Sequence, residues 1–195
     1  MIARIDRAKL PNGFPTHRHT NALWEELGRT VATFGFLEEV LGRAIFAVTA
    51  TKQVSEEEAE AEVTKWIVTL ERALDDTLGK LIDSYEKALA NRPEAAGVMK
   101  EAGLSFQALR EANVIRNALC HGSWQPPDGN GRSELRYVDK RRGVFDTAVD
   151  LKFLQQTRQG VVELICDVID SVAHLGLNFP GRGLPLSGEE ALGTD

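Results

Sequence analysis

Apolar residues recur along most of this chain at three- and four-residue steps, the spacing that turns one side of an α-helix toward a core. From about Asn21 to Thr49 the stripe is Leu23, Leu27, Val31, Phe34, Leu41, Ile45 and Val48. A second stripe, from Val63 and Trp66 through Leu78, Leu81 and Ile82 to Tyr85, follows the acidic run SEEEAEAE. Ser55 and Glu58 form a capping box for its start, and the helix should stop near Asn91. Pro93 fits the first position of a third helix, expected to run through Leu104 and Ile115 to His121. Gly97 and Gly103 weaken its front half, and Gly122 should end it as a residue tolerant of positive φ. The last stripe is Leu151, Leu154, Val161, Ile165, Val168, Val172 and Leu175, with Asp150 as its N-cap.

Between the third and last helices the period changes. QPPDGNG is dense in turn residues, and SELRYVDKRRGVFDT reads as two short strands around a turn at Lys140 to Gly143. The closing NFPGRGLPLSGEEALGTD offers little to bury and is expected to be loose. No internal repeat is present. The expected fold is all-α, an antiparallel up-down bundle of four long helices with a small β-hairpin, about 133–147, inserted before the last helix. One domain over 1–177 and a tail over 178–195 follow from this.

Composition narrows the classes of function. With 195 residues, 43% hydrophobic and 27% charged, the chain is an ordinary soluble domain able to bury a core. A net charge of −6 argues against broad binding to duplex DNA and leaves room for a small basic pocket. Cys120 and Cys166 lie inside helical patterns without framework spacing, which points to a reducing compartment. No apolar run approaches the roughly 18 residues needed to span a bilayer, and MIARIDRAKL has no apolar leader segment. A cytoplasmic protein without membrane contact is expected.

The chemistry concentrates in NVIRNALCHGSW, residues 113–124. At about 100° per residue, Leu104, Ala108, Ala112, Ile115 and Leu119 fall on one packed seam. Arg110, Asn113, Arg116, Asn117 and His121 fall off it, together with Phe106, Leu109 and Cys120. A face so mixed suits an interface or a lined cleft. Asn117 and His121 stand at i and i+4, where their side chains can touch, and Arg116 can swing toward the same place. The plainer reading is a helix end whose dipole favours a histidine and whose polar groups merely satisfy one another.

In this helical setting RNALCH resembles the Arg-x4–6-His motif of the HEPN (higher eukaryotes and prokaryotes nucleotide-binding) superfamily, with Asn117 as the polar residue after the arginine. The resemblance covers about 21–176, of which only the motif is specific; the hairpin and the acidic balance depart from the plain family pattern. It implies a metal-independent endoribonuclease of the defence, toxin or RNA-processing kind, working without a cofactor. Arg116, Asn117 and His121 would be its catalytic residues, and attack by the 2′-OH would leave a 2′,3′-cyclic phosphate and a 5′-hydroxyl. It further implies a homodimer through the third helix, RNA or a nucleotide as ligand, and an antitoxin or other protein as partner. A non-catalytic interaction or nucleotide-binding module is the alternative. The chemistry is sound on its own terms. A histidine titrates near neutrality and can move the proton, while an arginine fork suits the nonbridging oxygens that gain charge.

Candidates for substrate binding surround the motif. Arg110 and Asn113 share its face, and Trp124 either stacks a base or packs the hairpin onto the helices. Arg136, Arg141 and Arg142 supply positive charge against the single acid Asp139. Glu38 shares a stripe with Phe34, Leu41 and Ile45, so it must be paired or at an edge. Arg43 or Arg116 could be its partner, and a structural ion pair is favoured over a supporting acid. His17 and His19 lack further ligands at metal spacing, which makes HRH a solvated segment and leaves no metal site. Cys120, beside the histidine, is expected to pack.

Overall fold

A computed structural model describes residues 5–50, 77–92, 95–139 and 143–179. Ser55, Glu58, the front half of the second stripe, Pro93, Lys140, Arg141, Arg142 and the closing tail lie outside the described residues. The described chain is mostly helical, with two short antiparallel strand pairs. After a 3-10 turn at Arg7–Lys9 come α1 (Asn21–Ala50), α2 (Leu78–Ala90), α3 (Ala95–Glu101) and α4 (Phe106–His121). Then follow β1 (Ser123–Trp124), β2 (Leu135–Arg136), β3 (Val138–Asp139), β4 (Gly143–Val144) and α5 (Leu151–His174). No described helix is long and apolar enough to cross a membrane.

The third expected helix is two helices. Gly103 adopts φ +69°, and Leu104 N–H closes back on the Met99 carbonyl at 3.0 Å, a six-residue closure of the kind that ends helices. Ser105 then accepts from Ala108 N–H at 3.2 Å and caps α4. Two further ends fall where they were expected. Asn91 closes α2, and Asp150 caps α5 by accepting from Phe153 N–H at 2.7 Å.

The chain divides into two compact units, one from the described parts of Met1–Phe36 and Arg110–Glu163, the other from those of Leu37–Leu109 and Leu164–Asp195. In the first, the buried side of α1 runs through Leu23, Glu26, Thr30 and Phe34, whereas Val31 is exposed. The expected stripe erred because it admitted only apolar residues. Two polar side chains take the inward positions with their bonding satisfied, as burial requires. The Glu26 carboxylate accepts from Arg158 Nε at 2.6 Å, and the Thr30 hydroxyl donates to the Glu26 carbonyl at 2.8 Å. On α5, Leu151 proves exposed while Leu154 and Val161 are buried.

In the second unit α2 buries Leu78, Leu81, Ile82, Tyr85, Ala88 and Leu89. Each large aliphatic side chain removed from water in this way contributes roughly 1.5–3 kcal/mol. The Ser171 hydroxyl donates to the Val168 carbonyl at 2.6 Å and receives the Tyr85 phenol at 2.7 Å. Burial pushes the Tyr85 pKa up to about 12, with the Ser171 bond opposing. Phe106 lies against the Tyr85 ring at 6.0 Å.

Candidate functional site

The buried arc of α4 passes through Leu109, Ala112 and Leu119, with Ala118 also enclosed at its C-terminal end; Ala108 and Ile115 are half-buried. Leu109, 0% exposed, is therefore core and not part of the motif's open face. The expected seam was rotated because it was phased from Leu104, which lies before the helix begins. The correct phase puts Arg116 between Leu109 and Ala112, on the inward side and half-buried. His121 is 140° further round and exposed.

These positions settle which side chains meet. Arg116 Nη1 donates to Asn117 Oδ1 at 3.2 Å. Asn117 thus engages the arginine instead of reaching His121. The His121 ring makes no hydrogen bond among the described residues and lies open at the helix end. Asn113 and Arg110, both half-buried, precede Asn117 by one and two turns.

Gly122 turns the chain out of α4. Its φ is not positive, contrary to expectation; the demand is for space. A Cβ there would lie 2.4 Å from the Ala118 carbonyl oxygen and 3.3 Å from Leu135 Cβ. The tight exit feeds β1, which pairs with β2 in the register Ser123 to Arg136 and Trp124 to Leu135. Arg136 thereby stands on the strand beside Ser123, two residues past His121. It is exposed and has no ion-pair partner among the described residues. Arg141 and Arg142 lie outside them. The described strands of the expected hairpin, β3 and β4, pair Val138 with Val144 and Asp139 with Gly143.

Trp124 is half-buried in an aromatic cluster. Its ring centroid is 5.4 Å from that of Trp24 and 5.9 Å from that of His19, and its Nε1 reaches toward the Leu119 carbonyl at 3.4 Å. It packs β1 against α1 instead of offering a free face to a base. Glu38 is half-buried on α1, in the second unit, and Arg43 is taken by Glu39 at i, i−4. Of the two partners expected for Glu38, Arg43 is therefore not the one. Cys120 and Cys166 are exposed and form no disulfide, so Cys120 does not pack as expected.

His19 is the residue that sequence reasoning missed. Far from being solvated, its Nε2 lies 2.7 Å from the hydroxyl of the buried Ser133, and its ring stands edge-on to Trp24 at 5.0 Å. Its Nδ1 is buried without a hydrogen bond of good geometry. Burial lowers its pKa below the ordinary histidine value, and the Gln125 backbone opposes that shift. No local signal marks this, because Ser133 lies 114 residues away in sequence. Among the described residues no group of three or more His, Cys, Asp or Glu side chains is placed to hold a metal ion.

The first unit thus holds an open histidine at the end of α4, an arginine without an ion pair among the described residues on the strand paired with β1, and a second, half-buried arginine held by an asparagine. Such a set can bind a phosphate and exchange a proton with it. No protein-family model, no curated protein and no solved structure matches this chain.

Proposed function

We propose that this chain is a metal-independent endoribonuclease of HEPN type, of the defence, toxin or RNA-processing kind, on an antiparallel up-down bundle of four helices. The observation that carries the reading is the open His121 ring at the end of α4, followed two residues on by Ser123, whose strand partner is the unpaired Arg136. RNA supplies the nucleophile. His121 takes the proton of the 2′-OH as the 2′-oxygen bonds to phosphorus. The bond from phosphorus to the 5′-oxygen breaks, and that oxygen takes a proton from an acid, leaving a 2′,3′-cyclic phosphate and a 5′-hydroxyl. Arg136 holds the nonbridging oxygens, and Arg116, steadied by Asn117, adds positive field. A homodimer through α4 supplies a second His121 as the acid. Two cysteines without a disulfide suit a cytoplasmic setting, where an antitoxin-type protein would restrain the activity.

Incubating the pure protein with a mixed RNA pool, with and without EDTA, tests this. Cleavage should persist in chelator and end in cyclic phosphates. His121→Ala should lower it on the order of 10²–10⁴-fold, and Arg116→Ala should lower it too, with helicity unchanged in both. Cleavage that survives His121→Ala, or stops with EDTA, overturns the assignment. The Arg116–Asn117 bond, which holds the arginine apart from His121, favours the alternative of a non-catalytic interaction or nucleotide-binding module. RNA bound but left uncut would establish that alternative.

A further inference from the structure

The antiparallel pair formed by 133–139 and 143–149 is bonded at both ends and open between them. Ser133 and Val149 exchange both backbone hydrogen bonds, each at 2.8 Å. At the other end Val138 faces Val144, Asp139 faces Gly143, and Phe145 N–H donates to the Tyr137 carbonyl at 2.9 Å. One register joins the two ends, so Leu135 stands opposite Thr147, and Arg136 opposite Asp146.

In an antiparallel ladder, alternate residues turn their backbone groups toward the same neighbour. Ser133 and Tyr137 turn theirs toward 143–149, and Leu135 between them does the same. Glu134 turns the other way, its carbonyl accepting from Gln125 N–H at 2.9 Å. Leu135 and Thr147 nevertheless exchange no hydrogen bond. The strands part there around a cleft of about 500 Å³, lined by Leu135, Arg136, Tyr137, Phe145, Asp146 and Thr147 among others. Arg136 and Asp146 face each other across the opening without forming an ion pair.

The occupant follows from what is unpaired. A peptide adding itself to a sheet needs a row of open backbone groups along an edge. Here one residue on each wall is open, too short for a strand and the right extent for a single flat heterocycle with donors and acceptors along its edges. Tyr137 and Phe145 supply aromatic walls, and the free guanidinium of Arg136 suits a phosphate. We propose that this split in the sheet is the pocket for one unstacked ribonucleotide, its base between Leu135 and Thr147 and its phosphate on Arg136. As a substrate pocket it rests on the RNA-cleaving reading. The β1–β2 register sets Arg136 opposite Ser123, two residues past His121, so the pocket adjoins the strand that leaves the proposed reacting centre. Asp146, an acceptor when ionised, favours bases with an exocyclic amino group, so uracil should be the poorest fit.

The test is calorimetric titration of the full chain with AMP, GMP, CMP and UMP. UMP should bind most weakly. Arg136→Ala should weaken the other three by roughly tenfold or more, the size of one charge-assisted hydrogen bond. Thr147→Pro deletes one N–H that the fold does not use and should also weaken them. Asp146→Asn should flatten the order of preference, and stands in for Thr147→Pro should the proline disturb the circular dichroism spectrum. Nucleotide binding that depends on these residues, in a protein that cuts no RNA, upholds the pocket and removes the nuclease reading. RNA cleavage without mononucleotide binding, or binding indifferent to all three substitutions, overturns the pocket and leaves the nuclease reading standing.

Discussion

His19 shows how much a single buried polar atom decides. Its ring is wedged among Trp24, Trp124 and Ser133, with the Gln125 backbone nearby, and among the described residues no carboxylate pairs with it to stabilise a second proton. The neutral ring is therefore the one the fold accommodates. Because the folded pKa lies below the ordinary value of about 6.5, the unfolded chain binds the proton more readily. The contribution to stability is complete above 6.5 and is lost as the pH falls through the lowered folded value. Denaturation midpoints between pH 5 and 8 (roughly the range around that reference value) should decline toward acid in the wild type and decline less in His19→Gln. Identical slopes in the two proteins would show that the niche admits the charged ring. The sequence could not announce this, nor the inward turn of Glu26 and Thr30. Apolar stripes are written in one helix, but a buried polar group is defined by its partner, and these partners lie more than a hundred residues away.

Elements with local signals were legible nearly to the residue. The Asp150 cap, the Asn91 stop and the extent of α1 all rest on interactions within a turn or two of the residue concerned. The third helix misled because Leu104 and Ala108 keep helical spacing across a break that Gly103 imposes, so the apolar period continues where the backbone does not. Strand β1 was invisible for another reason: two residues hold no period, and only Leu135 and Arg136 make them a strand. That junction hangs on Gly122. Alanine there must move its methyl away from the Ala118 carbonyl and from Leu135, shifting β1 against the end of α4. A cost of roughly 1–3 kcal/mol is expected, as for other overpacked sites. Urea denaturation should show it, and on the proposed reading RNA cleavage should fall with it, because the strand pair that carries Arg136 shifts against the end of α4. A Gly122→Ala protein as stable as the wild type would mean that the strand yields freely.

At the scale of the whole molecule the proposed reading requires a second chain at the C-terminal end of α4. Leu109 is core, so the apolar patch once expected around the motif shrinks to the exposed Cys120 and half-buried neighbours. Hydrophobic burial alone is then a weak drive for pairing. Charge works against it too, since each chain carries a net −6 and a twofold axis at His121 would bring Arg136 near its own copy. A polyanion reverses that balance. On the proposed reading, a phosphate shared between two such ends would bind the dimer better than the monomer and by mass action would draw the chain toward it. The expected behaviour is a dimerisation promoted by a short RNA and weakened by salt, which screens the phosphate contacts. Sedimentation should show a species of twice 21.5 kDa growing as oligonucleotide is added. Mild oxidation of that species should yield a cross-link that Cys120→Ser removes, because the thiol directly precedes His121 and is open to solvent. RNA bound and cut by a species that stays at 21.5 kDa throughout would refute the shared site and return the whole reaction to one chain.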